Sequence, residues 1–420
     1  MAEEKSQTIL VVGGGITGLT AAIEAAEAGY GVVLVEKNPY LGGRVAQLNQ
    51  YFPKLCPPYC GLEINFKRMR QNANVRFFTL AQVESISGQA GDFDVTITVS
   101  PRYVNEKCTA CGACAEACAM TLDNPFNFGM NKMKAAYLPH DLAFPLRFVL
   151  DQALVRSAEA QKVKDACPYG AIDLDMQPKT FTLKVGAIVW AAGFTPFDPN
   201  QVPGFNFSRN SNVITNVMME RLAAFSGPTG GKILRPSDGR PPRHVAFVQC
   251  AGSRDVDHLP YCNSICCLAS LKQTTYLREQ FKDVKITVCF VDIRAMERLE
   301  DFYVKVQGDA NVAFVKAKIH KITQDESTGQ VTLEGEDVPG GKTITVTADL
   351  AVLATGMVPN TKTDPVPIKV NYDPYGFITG DSGLAGLVAA GTAKRPNDVS
   401  SCTQSGTAAA LKAIQAVARR

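Results

Sequence analysis

The chain carries thirteen cysteines, and their spacing is the first feature that could do chemistry. Cys108, Cys111, Cys114 and Cys118 read C-x-x-C-x-x-C-x-x-x-C, and a Cys167-Pro168 step follows further on. Thiolates at this pitch suit an iron–sulfur cluster, whereas structural zinc more often takes two paired C-x-x-C knuckles. Cys250, Cys262, Cys266 and Cys267 form a second group. Neighbouring side chains diverge, so adjacent cysteines rarely ligate one metal, and on chemistry alone this group also reads as buried thiols near a helix start. Cys56 and Cys60 enclose Pro57-Pro58-Tyr59, and the two prolines argue against a helix through the segment. This pair could be a redox couple, cluster ligands or inert thiols.

Such side chains need a scaffold, and the N-terminal stretch indicates which. An apolar run from Thr8 to Val12 stops at Gly13-Gly14-Gly15, and a helical pattern begins at about Ile16. Gly13, Gly15 and Gly18 spell G-x-G-x-x-G: the first glycine permits the tight turn, the second a close pyrophosphate, the third close helix packing. The helix start at Ile16 and Thr17 then offers free N–H groups and a positive dipole end to phosphate. A second strand, Gly31 to Val35, ends at Glu36-Lys37, where an acidic side chain is placed to take ribose hydroxyls. Gly42-Gly43-Arg44 follows; Gly43 allows another close backbone approach, and Arg44 could reach a phosphate or a flavin ring. This E-x(5)-G-G-R arrangement resembles the FAD-binding flavoproteins of the thioredoxin and glutathione reductase type. The resemblance implies FAD rather than NAD at this loop.

Composition narrows the classes. A chain of 420 residues, 46% apolar and 20% charged, is globular and long enough for two to three domains. A formal net charge of +3 without a basic run gives no reason to expect nucleic acid. The polar opening, Met1 to Gln7, does not read as a signal peptide, and no run approaches about 18 apolar residues. A cytoplasmic protein is expected, with peripheral membrane association only through partner subunits. Many cysteines in a reducing compartment point to metal or redox chemistry rather than disulfides.

Strand-like alternation fills Val75 to Val99, and a matching strand, Thr180 to Val185, runs into Ala187 to Gly193. This is the meander of an FAD domain with an insertion at its hairpin, and Ala192 and Gly193 are expected at the cofactor. The insertion resembles a bacterial ferredoxin, in which the last cysteine of each run serves the other cluster. That resemblance implies one [4Fe–4S] cluster on Cys108, Cys111, Cys114 and Cys167. It leaves Cys118, followed by Ala119 rather than proline, with no second cluster inside the insertion.

From His244 the plan of strand, turn, helix and strand repeats, closing on Leu350 to Pro359. An NAD-binding turn would be glycine-rich; here it reads Cys250-Ala-Gly-Ser-Arg254. The C-terminal return carries Gly391-Thr392 in place of the usual Gly-Asp, and Asp398 is the candidate substitute for the ribityl contact. The fold class is therefore α/β, with two dinucleotide-binding-type (Rossmann-like) domains and a ferredoxin-like insertion. Residues 1–100, 179–240 and 360–420 are expected to form the FAD domain, 101–178 the insertion, and 241–359 the NAD-domain-like unit.

The pattern Q-C-A-G-S-R-D … Y-C-x-x-x-C-C, together with the other motifs, is similar to the superfamily of heterodisulfide reductase A subunits. That resemblance implies a second, non-standard [4Fe–4S] cluster on Cys250, Cys262, Cys266 and Cys267, in the place where NAD would bind. Among short members the likeness is greatest to the A subunits of quinone-interacting membrane-bound oxidoreductase complexes of sulfate reducers. It implies electron transfer between a membrane quinone pool and adenylylsulfate reductase, with two partners: a membrane haem/quinone subunit and a flavin/iron–sulfur subunit. The alternatives are a heterodisulfide-reductase-type subunit, or an NAD(P)H-dependent flavin reductase using Cys56 and Cys60.

Overall fold

The computed structural model describes residues 6–418, apart from Pro53 and Pro339 and the side chain of Glu297. Residues 1–5 of the polar opening and 419–420 at the end of the last helix lie outside the described residues.

The first sheet is five-stranded, in the order Leu387–Ala389, Ala187–Trp190, Ile9–Val12, Val32–Glu36, Val75–Thr79, with every pairing parallel. Parallel strands buried on both faces read as continuous apolar runs, which is the pattern of Ile9–Val12 and Val32–Glu36. Ile9 and Val11 face a core made with the helices Ile16–Glu27 and Val399–Ala418, while Leu10 faces the opposite core. That opposite side is closed by an antiparallel sheet of Ala81–Gln89, Asp92–Val99 and Lys179–Val185. The insertion leaves this sheet at Val99 and returns at Lys179, its direct partner across the ladder. Its own small core includes Val104, Phe148, Leu154 and Val163.

The second sheet has seven strands. Val213–Thr215, Leu350–Thr355, His244–Ala251, Lys285–Phe290 and Val312–Gln324 pair in parallel, and Val331–Asp337 and Thr343–Ala348 extend it antiparallel. The helix Cys266–Gln280 covers one face through Leu268, Leu271 and Leu277. The strand Val213–Thr215 and the helix Asn216–Ala223 lie in the stretch read from sequence as FAD domain, yet they belong to this second unit. Val213 is in register with Ala351, and Ile214, Met219 and Leu222 enter the second core.

The insertion and both sheets meet at Arg221, whose side chain is 1% exposed. Its Nε donates to Asn127 Oδ1 (2.8 Å), Nη1 to the Gln47 carbonyl (3.4 Å) and Nη2 to the Ser226 carbonyl (3.0 Å). The guanidinium also lies 4.7 Å from the Phe126 ring centre. Gln47 in turn donates to the Phe126 carbonyl at 3.0 Å. A planar five-donor fork meets these scattered acceptors, whereas a lysine could not. Arg221→Leu should therefore lower stability by about 2–4 kcal/mol, because several buried acceptors lose their donor. Arg221→Lys should recover only part of the loss in chemical denaturation followed by circular dichroism.

Candidate functional site

A cavity of about 710 Å³ opens at the C-terminal ends of the first sheet's strands, and the glycine turn is its floor. Gly13 has φ +104°, and a Cβ there would lie 2.3 Å from the Ala191 carbonyl oxygen. The second glycine turn docks directly on the first: Gly42 N–H donates to the Gly14 carbonyl at 2.8 Å. A Cβ on Gly43 would lie 2.8 Å from Gly15 Cα, so the floor is bare backbone contributed by both turns. Such a surface, at the start of the helix Ile16–Glu27, fits a pyrophosphate.

Of the cofactor residues expected from sequence, Gly13, Gly15, Ile16, Thr17, Glu36 and Lys37 line the cavity. So do Gly43, Arg44, Ala192, Gly193 and Asp398. Gly18 and Gly391 are not among its walls. Gly18 serves packing, since a Cβ there would lie 1.8 Å from the Gly13 carbonyl oxygen. Gly391 (φ +60°) lies against Thr17, where a Cβ would come within 2.3 Å of Oγ1. Glu36 accepts from Gly14 N–H (2.6 Å) and from Asn38 N–H and Nδ2 (both 2.7 Å). Burial nevertheless raises its pKa above the ordinary 4.5. Arg44 donates to Gln47 Oε1 (3.1 Å) and the Phe194 carbonyl (3.4 Å), between the Phe128 and Phe194 rings. Asp398 caps the last helix by accepting from Ser401 N–H at 2.7 Å.

The far wall is the part that sequence reasoning missed. Phe126, Met133 and Tyr137 of the insertion face the cavity, as do Glu220, Lys272 and Gln273 of the second unit. Lys272 Nζ lies 3.0 Å from Glu220 Oε1, with side chains 4% and 3% exposed. Glu220 also accepts from Gln273 Nε2 (2.7 Å), Tyr276 Oη (3.2 Å) and Asn49 N–H (3.0 Å). A buried ion pair persists only when its remaining hydrogen-bonding positions are filled, and here they are. No motif announces it, because its members come from two different helices.

The thiols divide as follows. Cys108, Cys111, Cys114 and Cys167 line one small depression in the insertion, and Cys118 is not part of it. Ala110 N–H donates to Cys108 Sγ (3.4 Å) and Ala171 N–H to Cys167 Sγ (3.3 Å). Cys118 is buried and donates to the Met120 carbonyl at 3.5 Å. In the second unit Cys250 lies near the end of its strand at φ +57°, Cys262 follows in a loop, and Cys266 and Cys267 open the helix. They are close enough to act on one another: burial and then Cys267, Cys250 and Cys262 push the Cys266 thiol up. Cys266 Sγ donates to the Thr355 carbonyl (3.7 Å), and both Thr355 and Ile265 line the flavin-sized cavity.

Two further features bear on what these thiols hold. The Gln249 amide and the Ser270 hydroxyl, beside Cys250 and one turn after Cys266, are buried without a partner among the described residues. Buried polar groups of this kind call for a partner from outside the chain. Among the described residues no three His, Cys, Asp or Glu side chains are set to hold a single metal ion. A four-iron cluster spreads four thiolates over its surface and does not need that convergence. On the turn itself, the Phe197 ring covers Gly252, where a Cβ would fall 2.2 Å from ring carbon.

The Cys56–Cys60 segment corrects the expectation that no helix runs through it. A helix spans Pro58–Gln71, with Pro58 in its first turn, where a missing N–H costs nothing. Cys60 is exposed in that turn, and Cys56 is half-buried before it. Tyr51 lines the cavity and the two thiols do not.

This fold and cavity define a flavoprotein of the FAD-dependent oxidoreductase class, and a family model with that description matches residues 8–65. Among solved structures, thioredoxin reductase from Lactococcus lactis shares the fold (TM-score 0.55, 13% identity, 99% of this chain, 100% of that one). Bacillithiol disulfide reductase from Bacillus cereus does so too (TM-score 0.54, 14% identity, 99% and 100%). An iron–sulfur A subunit of the CoB–CoM heterodisulfide reductase of Methanopyrus kandleri is 36% identical over 97% of this chain and 64% of its own length. The corresponding A subunit of Methanocaldococcus jannaschii is 35% identical over 94% of this chain and 62% of its own. Over nearly its whole length the chain is similar to heterodisulfide reductase A subunits, and it spans less than two thirds of the length of these relatives. No helix among the described residues is long and apolar enough to cross a membrane.

Glu36 gives a pH test. Its folded-state pKa is raised, so the folded protein holds this proton more tightly than the unfolded chain does. The flavin-free protein should therefore lose stability as pH rises from 4.5 through the raised value. Glu36→Gln should abolish that fall in denaturation midpoints measured across pH, while weakening FAD by about tenfold or more.

Proposed function

We propose that this chain is an electron-transfer subunit holding one FAD and two [4Fe–4S] clusters, active within a complex of partner subunits. The observation that carries it is the proximity of the two kinds of site: Thr355 and Ile265 line the cavity, and Cys266 follows Ile265 in the chain with its Sγ 3.7 Å from the Thr355 carbonyl. Glycine backbone at Gly13, Gly15 and Gly43 would hold the FAD pyrophosphate, Glu36 the ribose, and Ala192, Gly193 and Asp398 the stretch toward the flavin. Bound FAD exchanges electrons in pairs and clusters exchange them singly, so together they convert between the two modes. Lys272 and Glu220 place a charge-compensated, fixed dipole in the cavity wall.

Cys108, Cys111, Cys114 and Cys167 are the ligands of the first cluster, and Cys250, Cys262, Cys266 and Cys267 those of the second. The shared depression of the first four thiols and the backbone N–H donors at Cys108, Cys167 and Cys262 support this reading. The FAD domain is assembled from 1–100, 360–420 and the part of 179–240 that precedes Val213, with 101–178 inserted; 241–359 is the cluster-bearing unit, which the strand Val213–Thr215 and the helix Asn216–Ala223 join. The partners are two further subunits, one carrying flavin and iron–sulfur centres and one a membrane haem/quinone protein, with adenylylsulfate reductase as redox partner. Peripheral membrane association runs through those subunits. This assignment rests on the motif likeness to quinone-interacting complexes. A second reading, a heterodisulfide-reductase-type subunit, is favoured by the sequence identity with the methanogen relatives.

Anaerobic reconstitution should give about one FAD and eight irons per chain. Cys262→Ser combined with Cys266→Ser should reduce this to about four irons, and four irons in the unaltered chain would remove the second cluster. NADH or NADPH should leave the flavin oxidised in the chain alone; rapid bleaching would instead favour the NAD(P)H-dependent reductase.

A further inference from the structure

Trp190 is the chain's single tryptophan, and it closes the strand Ala187–Trp190 beside Val12 of the glycine-turn strand. The side chain is 5% exposed, and its indole Nε1–H has no acceptor among the described residues. It lines the large cavity, so the missing acceptor has a place to come from. A buried donor left unpaired costs about as much as a lost hydrogen bond, and such donors are few in folded proteins. Trp190 belongs to the same buried core as Val35, Ala81 and Val366, and Val35, Glu36, Ala81 and Val83 border the same cavity. Trp190 is in register with Val12, and Val12 with Val35, the residue before Glu36, which is read here as the ribose-binding acid. Adenine ring nitrogens and ribose oxygens are acceptors, and they suit an indole N–H, which can only donate.

We infer that Trp190 donates a hydrogen bond to the adenosine half of the bound dinucleotide and so selects FAD over FMN. The inference rests on the reading of the cavity as an FAD site. It makes Trp190 a specificity residue remote from the redox ring, and the only indole reporter of occupancy.

The test uses the full chain freed of flavin, titrated with FAD, ADP and FMN by calorimetry and by tryptophan emission. FAD and ADP should shift or quench the emission in step with binding, and FMN should not at concentrations where FAD saturates. Trp190→Phe should weaken FAD and ADP by about three- to tenfold, the loss of one hydrogen bond, and leave FMN unchanged. Circular dichroism confirms the variant's fold; if it does not fold, the response of the unaltered chain to ADP decides alone. Emission that stays unmoved when calorimetry shows ADP bound, or a folded variant that binds ADP as tightly as the parent, overturns the role of Trp190. Failure of the parent to bind FAD at all would overturn the flavin site itself, which is a different result.

Discussion

The structure depends on buried charge at the junction of its three parts. Arg221 and the Lys272–Glu220 pair sit where the FAD unit, the insertion and the second sheet meet. Ions so far from water are stable only with their donors and acceptors filled, and the partners that fill them come from all three parts. Asn127 of the insertion and Gln47 of the glycine-turn segment serve Arg221, and Asn49 and Gln50 serve Glu220 and Lys272. These hydrogen bonds tie the three parts together around the cavity they enclose.

The two sheets share one plan of strand, turn and helix but differ at the turn. The glycine floor and Glu36 remain at the first sheet. At the second sheet the corresponding turn carries cysteine, Phe197 lies over its glycine, and the following helix opens on adjacent thiols. Ile265 and Thr355 line the cavity, and Cys266 follows the first in the chain and lies with its Sγ 3.7 Å from the carbonyl of the second. The insertion adds a wall rather than hanging from the hairpin: Phe126 and Tyr137 face the same cavity.

The local parts were legible in the linear order. Strand, turn and helix at Ile9–Glu27 followed from apolar runs and glycine spacing, because turn chemistry is a local property of φ and of a missing Cβ. The cysteine runs were legible for the same reason, since ligand spacing within one loop survives in the order of residues. Even there a local rule misled at Pro58: proline forbids a helix interior but suits a helix start, and only the folded chain shows which position it holds. The meeting of distant residues came only with folding. Glu220 and Lys272 carry no motif, and nothing in their neighbours says that both are buried. The strand Val213–Thr215 joined the second sheet by pairing with a strand far along the chain. Among the described residues the Trp190 indole N–H and the Gln249 amide are buried without a partner, because remote segments close over them. Desolvation and long-range pairing are set by which surfaces close on one another, a property that residue spacing does not encode.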